Sequence, residues 1–322
     1  MRSTKTAVEA SLEQSRSVRK AAKAIVESTI GSRGAARHLA TLLEPRVLVL
    51  AFHNVIPDAE VPRGDRSLHL PFSRFRAILD WLPELYDLVP AGDAFDHTMM
   101  SGSRPRAAIT FDDAYAGAIS LAIPEVVRRG LPATIFVIAG ARDGQTFWWD
   151  SLSDPDVGLS SRVRNMALSE GRGHEETVRS MARANGWKLR DLNGPFVAAN
   201  WEDIVASSEL PGIDVAHHSC MHSNAAVLDR TNLLSELKSG RRELEKKLPQ
   251  ARPWLAWPYG RSSARARAIA MESGYEMAFR VDGGALRATD PPAPRFRLPR
   301  LNVPSGLSLE GLRLRAAGLL GR

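Results

Sequence analysis

The 322-residue sequence contains a single cysteine, Cys220, which excludes an internal disulfide framework and leaves stability to packing alone. No run approaches the roughly 20 apolar residues that a membrane-crossing helix needs. The N-terminus, MRSTKTAVEASLEQSRSVRKAAKAIVESTIG, lacks the apolar centre of a secretory signal, so the expected location is the cytoplasm. Internal repeats and low-complexity tracts are also missing. What remains is ordinary globular composition, 44% apolar and 25% charged, in a length that suits one large domain with appendages. The net charge of +7 and pI near 9.9 raise the question of nucleic acid. The basic residues are interleaved with Asp and Glu along the chain, however, and no nucleic-acid-binding motif accompanies them. The charge reads as a solvated basic surface, or as attraction to an anionic membrane or an acidic glycan.

Residues 1–45 read as a basic helical extension, with apolar positions widely spaced among Lys, Arg and Glu. Such a segment either packs on the domain or lies on a membrane surface. From Arg46 the texture changes. VLVLAFHNV is a short branched apolar run between Pro45 and Pro57, the pattern of a buried strand. PFSRFRAILDWLPELY has helical spacing, with Ser73 as a candidate N-cap. Strand AAITFDD, helix SLAIPEVVRRG and strand PATIFVIAG follow, and the alternation predicts a parallel sheet covered by helices. Residues 151–200 interrupt it as a polar helical insertion. It resumes with WEDIVASS, GIDVAHH, NLLSELKSGRRELEKKL, WLAWPYG, SARARAIAMESG and EMAFRV, within a single domain over 46–322.

Three segments fall at the C-terminal ends of predicted strands, where α/β folds place their sites. They are Thr110 to Asp113, His217 to His222 and Ala256 to Gly260. Two adjacent aspartates after an apolar strand are costly if merely buried. A bound cation and a proton-transfer role would explain both, one Asp ligating while its neighbour takes a proton from water. Alternatively both cap the following helix. His218 and His222, four apart on a helical turn or tight loop, suit a shared metal with one carboxylate. Cys220 between them would point away. Trp148, Trp149 and Trp257 are candidates for stacking on sugar rings or for ordinary buried packing.

Taken in order, TFDDAY, HHSCMH and WPYG resemble the three motifs of the polysaccharide deacetylase family, the NodB-homology group or carbohydrate esterase family four. LVLAFHNV, PATIFV and FWWD extend the resemblance over roughly residues 46 to 303. It implies a distorted (β/α)7-type barrel with an N-terminal helical extension and a helical insertion. It also implies a metal-dependent N-deacetylase acting on N-acetylhexosamine units of a polysaccharide, or of its lipid- or nucleotide-linked precursor. Carried onto this sequence, Asp112 is the general base and Asp113, His218 and His222 hold a divalent metal, usually zinc. The backbone N–H of Tyr259 helps to stabilise the oxyanion.

Two features depart from the family pattern. Ala256 stands where the third motif often has an arginine that orients the base, and Arg300 in FRLPRLNV is the substitute candidate. No histidine follows His222, so the late motif that supplies the general acid is missing. His53, at the end of the first strand, is the first candidate for that acid and His217 the second. The alternatives in function are an O-deacetylase, an amidase on a non-sugar substrate, or an inactive glycan-binding homologue. The expected partner is an N-acetylated glycan or its precursor, met at the inner face of the membrane, with no nucleic acid involved.

Overall fold

The computed structural model describes residues 46–96, 104–287 and 293–318. The N-terminal extension expected over residues 1–45 lies outside the described residues. Eleven strands follow in chain order: β1 Arg46–Phe52, β2 Asn54–Ile56, β3 His69–Pro71, β4 Asp87–Leu88, β5 Arg106–Phe111, β6 Ala133–Val137, β7 Ile213–His217, β8 Trp254–Ala256, β9 Met277–Gly283, β10 Leu286–Arg287 and β11 Leu298–Asn302.

Seven of these close on themselves in the order β1-β11-β9-β8-β7-β6-β5, with β5 returning to β1, and every pairing in the ring is parallel. Strand β10 adds antiparallel to β1 on the outside, and β4 lies parallel beside β5. The chain therefore forms a (β/α)7 barrel: the strand–helix alternation predicts the parallel sheet with its helices, and the resemblance predicts the barrel. Parallel strands joined through helices are buried on both faces, which is why the strand sequences read as nearly unbroken apolar runs.

Period-two alternation divides each strand between two cores. Inside the barrel, Val49, Ala108, Phe136, Ala216, Ala256, Phe279 and Leu298 form one buried cluster. The opposite parity, including Ile109, Phe111, Ile135 and Val215, packs outward under the helices. Alanine on three strands leaves room for Phe136 and Phe279, whose ring centroids are 5.5 Å apart. Continuing the inward parity beyond these residues leads to Asp112, His218 and Arg300.

The helices follow the spacing read from the sequence, with local differences at their ends. The helix Phe72–Leu85 is capped by Asp58, whose carboxylate accepts from the Ser73 N–H and hydroxyl at 3.0 and 2.7 Å, so Ser73 is capped and does not cap. Between β6 and β7 the stretch read as a polar insertion, 151–200, carries the helices Ser161–Ser169 and Glu175–Ala184 and a 3-10 turn at Gly194–Phe196, after a buried turn Trp148–Ser151. Among the described residues no helix is long and apolar enough to cross a membrane.

Candidate functional site

At the C-terminal end of the barrel, the side chains of Asp113, His218 and His222 meet. Asp113 Oδ1 lies 3.3 Å from His218 Nε2 and 3.4 Å from His222 Nε2, and the two ring nitrogens are 3.1 Å apart. All three residues are buried. The adjacent aspartates point in different directions because β5, which ends at Phe111, is prolonged through Asp112 by its N–H to the Phe52 carbonyl at 2.9 Å but not through Asp113. Asp112 keeps the inward parity of β5, while Asp113 has φ 70°, which swings its side chain toward the histidines. The helix-capping alternative is not realised, since the next helical turn, Ala118–Ala122, begins without a side-chain cap.

Of six non-glycine residues with positive φ among the described residues, five are here: Asp113, Ala114, Ser219, His222 and Tyr259. Each costs of order 1–3 kcal/mol and persists only where its surroundings impose it. For the histidine loop that support is Glu236, a residue the sequence reading did not single out. Its carboxylate accepts from the N–H of Cys220 and Met221 at 3.2 and 2.9 Å and from the Ser223 hydroxyl at 2.6 Å. Glu236→Ala is expected to lower stability by about 2–4 kcal/mol, since it leaves these buried donors unpaired; denaturant midpoints compared with those of Glu236→Gln check it. Cys220 is turned away from the cluster toward Gly240, and burial pushes its thiol up to about 11.

His218 Nδ1 lies 2.9 Å from the Ala256 carbonyl. A carbonyl only accepts, so Nδ1 carries a proton and Nε2 is the atom that faces Asp113. Burial pushes the His218 ring down, but Asp112 and Asp113 outweigh it and hold its pKa above the usual value. Burial pushes His222 down to about 3, keeping it neutral. Two inward-facing imidazoles and a carboxylate oxygen with no hydrogen-bond partner thus surround one point. Atoms that each lie about 2.1 Å from a tetrahedral ion are about 3.4 Å apart. The observed spacings match that value closely enough for the three residues to hold a small divalent cation.

Asp112 has a different partner. Arg300 meets it with two parallel bonds, Nη1 to Oδ1 and Nη2 to Oδ2, each 2.7 Å. The same guanidinium donates to Thr110 Oγ1 at 3.0 Å and to the Arg280 carbonyl at 3.1 Å, and packs over Phe136. Burial pushes the Asp112 carboxyl up, but Arg300 and then His218 outweigh it and hold the group well below the usual carboxylate range. β11 shifts register between Leu298 and Arg300, which helps to aim the arginine. Arg300→Met is expected to cost about 3–5 kcal/mol by leaving a buried charge alone. Its sign with pH follows from the depressed pKa. The pair stabilises above the unfolded carboxylate value and is lost as pH falls through the lower folded one. In the variant burial is opposed by the histidines, His218 first, without the arginine, so that pKa rises and the difference between the two proteins should shrink from pH 7 toward pH 4 in chemical unfolding.

These groups open into a cleft of about 850 Å³, also lined by His53, Trp149, Tyr259, Arg261 and Asn302. His53, between β1 and β2, is only partly buried and shares the cleft with Asp112 and Asp113. His217 does not. It points outward from β7, edge-on to Tyr275 with ring centroids 5.2 Å apart, and burial, helped by Arg241, pushes it down to about 3. Trp148, Trp149 and Trp257 are buried, and Trp149 and Trp257 also line the cleft. Trp148 and Trp257 are enclosed, donating to the Gly173 and Phe296 carbonyls, and Trp149 is wedged between Phe147 and His222. The Trp149 wall is tied in from behind. Its Nε1 donates to the Tyr115 hydroxyl, which donates to Asp150 at 2.6 Å, and Asp150 also accepts from the Asp65 N–H at 2.8 Å.

The family model described as polysaccharide deacetylase matches residues 100–278, more than half of the chain. The chain belongs to the polysaccharide deacetylase family. It is therefore a deacetylase, a hydrolase, and both aspartates and both histidines of the cluster fall inside the matched region. Among solved structures, this deacetylase is similar in fold to IcaB from Ammonifex degensii (TM-score 0.59, 18% identity, covering 85% of this chain and 98% of that one). It is also similar to the Streptococcus pyogenes deacetylase PplD in complex with acetate (0.57, 16%, 84% and 98%). A third is the de-N-acetylase from Aggregatibacter actinomycetemcomitans (0.58, 14%, 83% and 98%). No curated protein matches the deacetylase in sequence.

Proposed function

We propose that the protein is a divalent-metal-dependent N-deacetylase acting on an N-acetylhexosamine unit of a glycan or of its carrier-linked precursor. The observation that carries this reading is the juxtaposition of two chemically distinct carboxylates at one cleft. Asp113 sits with two imidazoles, and Asp112 sits on a guanidinium. Asp113, His218 and His222 would hold the ion, with zinc the first choice for a set of two histidines and one carboxylate. When bound, such an ion supplies a Lewis acid that polarises the acyl carbonyl and acidifies water beside it.

The chain's own residues do the rest. Asp112 takes the proton from the water that attacks the acetyl carbon. Arg300 lowers its basicity, so acidification of the water is what makes the transfer feasible, and the two-point grip of the guanidinium fixes which lone pair faces the cleft. The Tyr259 N–H, presented by a backbone at φ 57°, would donate to the oxygen that becomes negative as the tetrahedral species forms. That species collapses by breaking the C–N bond, and the leaving nitrogen needs a proton. His53 is the candidate donor, since it lines the cleft where the outward-pointing His217 does not. The domain organisation proposed with this function is a catalytic domain over 46–322 preceded by a helical extension. Acetate release from N-acetylglucosamine oligomers, lost on chelation and regained on adding zinc, tests the reading. Acetate release that survives complete metal removal would overturn it.

A further inference from the structure

Charge accounting around the cleft points to the kind of substrate it takes, given the deacetylase reading above. Three carboxylates line it: Asp65 pairs with Arg164, Asp112 pairs with Arg300, and Asp113 faces the two ring nitrogens that would share a cation with it. Arg261 lines the same cleft, is exposed, and its side chain makes no hydrogen bond or ion pair with any described residue. Among the described residues it is the arginine of the cleft lining left without a partner, and a divalent cation held by Asp113 would make the cleft net positive. Its position is held by backbone rather than by chance. The Arg261 N–H donates to the Pro258 carbonyl at 3.1 Å, and Gly260 before it has φ +67° and no room for a Cβ against Val281. Arg261 is two residues beyond Tyr259, at most roughly 7 Å along the chain, which is about the width of one sugar ring.

We infer that Arg261 is a specificity residue that binds an anionic group, phosphate or carboxylate, carried on the N-acetylated sugar or on its immediate neighbour. Arg164 flanks the same cleft from the insertion helix Ser161–Ser169, its guanidinium partly engaged by Asp65 and still half-exposed. A planar guanidinium without an internal partner suits bidentate recognition of either acid. The same field disfavours a glycan already rich in free amines and favours departure of the cationic product.

The test compares three probes on the full chain by calorimetry: N-acetylglucosamine, its 1-phosphate, and the disaccharide of glucuronic acid with N-acetylglucosamine. The wild type should bind at least one anionic probe about tenfold or more tighter than the neutral sugar, in a salt-sensitive manner. The probe that gains identifies phosphate or carboxylate as the group. In Arg261→Gln that preference should fall by about tenfold, and Arg261→Lys should restore part of it. Equal affinity for all three probes, or a preference unchanged in Arg261→Gln, overturns the inference. Acetate release is scored separately. Anionic sugars that bind without being hydrolysed would leave the anion site standing and remove the deacetylase reading, whereas hydrolysis without charge preference would do the reverse.

Discussion

Asp112→Asn is expected to lower kcat for acetate release by about 10²- to 10⁴-fold, the range a general base contributes. The variant isolates the base because the amide keeps nearly the same shape and can still accept from Arg300. The guanidinium also retains its bonds to Thr110 and to the Arg280 carbonyl. Some stability is lost, since the buried Arg300 charge no longer faces a carboxylate. Metal content should not change, because Asp112 lies off the histidine cluster. Measuring kcat, bound metal and the circular dichroism spectrum together separates loss of the base from loss of the ion or of the fold. Activity within a few-fold of wild type would mean that another group takes the proton.

The second large effect is expected on removing a ligand. His218→Ala should abolish measurable turnover and weaken zinc binding, and chelation of the wild type should do the same reversibly. His218 is the more telling choice of the two histidines, because the Ala256 carbonyl on Nδ1 already selects the tautomer that presents Nε2. Adding zinc to metal-free wild type should stabilise it by about 4 kcal/mol at a free concentration a thousandfold above Kd. Thermal melts with and without zinc read this directly. An unchanged melting temperature, together with no metal in the purified protein, would remove Asp113, His218 and His222 from any metal-binding role.

Asp113 and Asp112 illustrate what strand patterning can and cannot say. Alternation along β5 is enough to send Asp112 into the barrel mouth, since Ala108 and Thr110 share its parity. The same rule would send Asp113 outward, and it fails there because φ 70° at Asp113 ends the strand geometry. His217 and His218 are the converse case. The strand holds through His217, parity applies, and the two rings face opposite sides of the sheet. Neither the Glu236 clamp nor the unpaired Arg261 had a signal in the sequence. An isolated Glu in a helix or an Arg after a turn has the composition of any solvated surface residue.

The amino-acid sequence by itself determined the strand–helix alternation, the barrel it builds, and the four residues of the aspartate and histidine motifs. These depend on local periodicity and on short ordered motifs, which survive in one dimension. Only the tertiary structure decided that Arg300 grips Asp112 across 188 positions, that the tryptophans are walls rather than platforms, and that Arg261 stands without a partner. Those facts depend on closing a seven-strand ring, which brings β11 beside β1 and turns distance along the chain into contact in space.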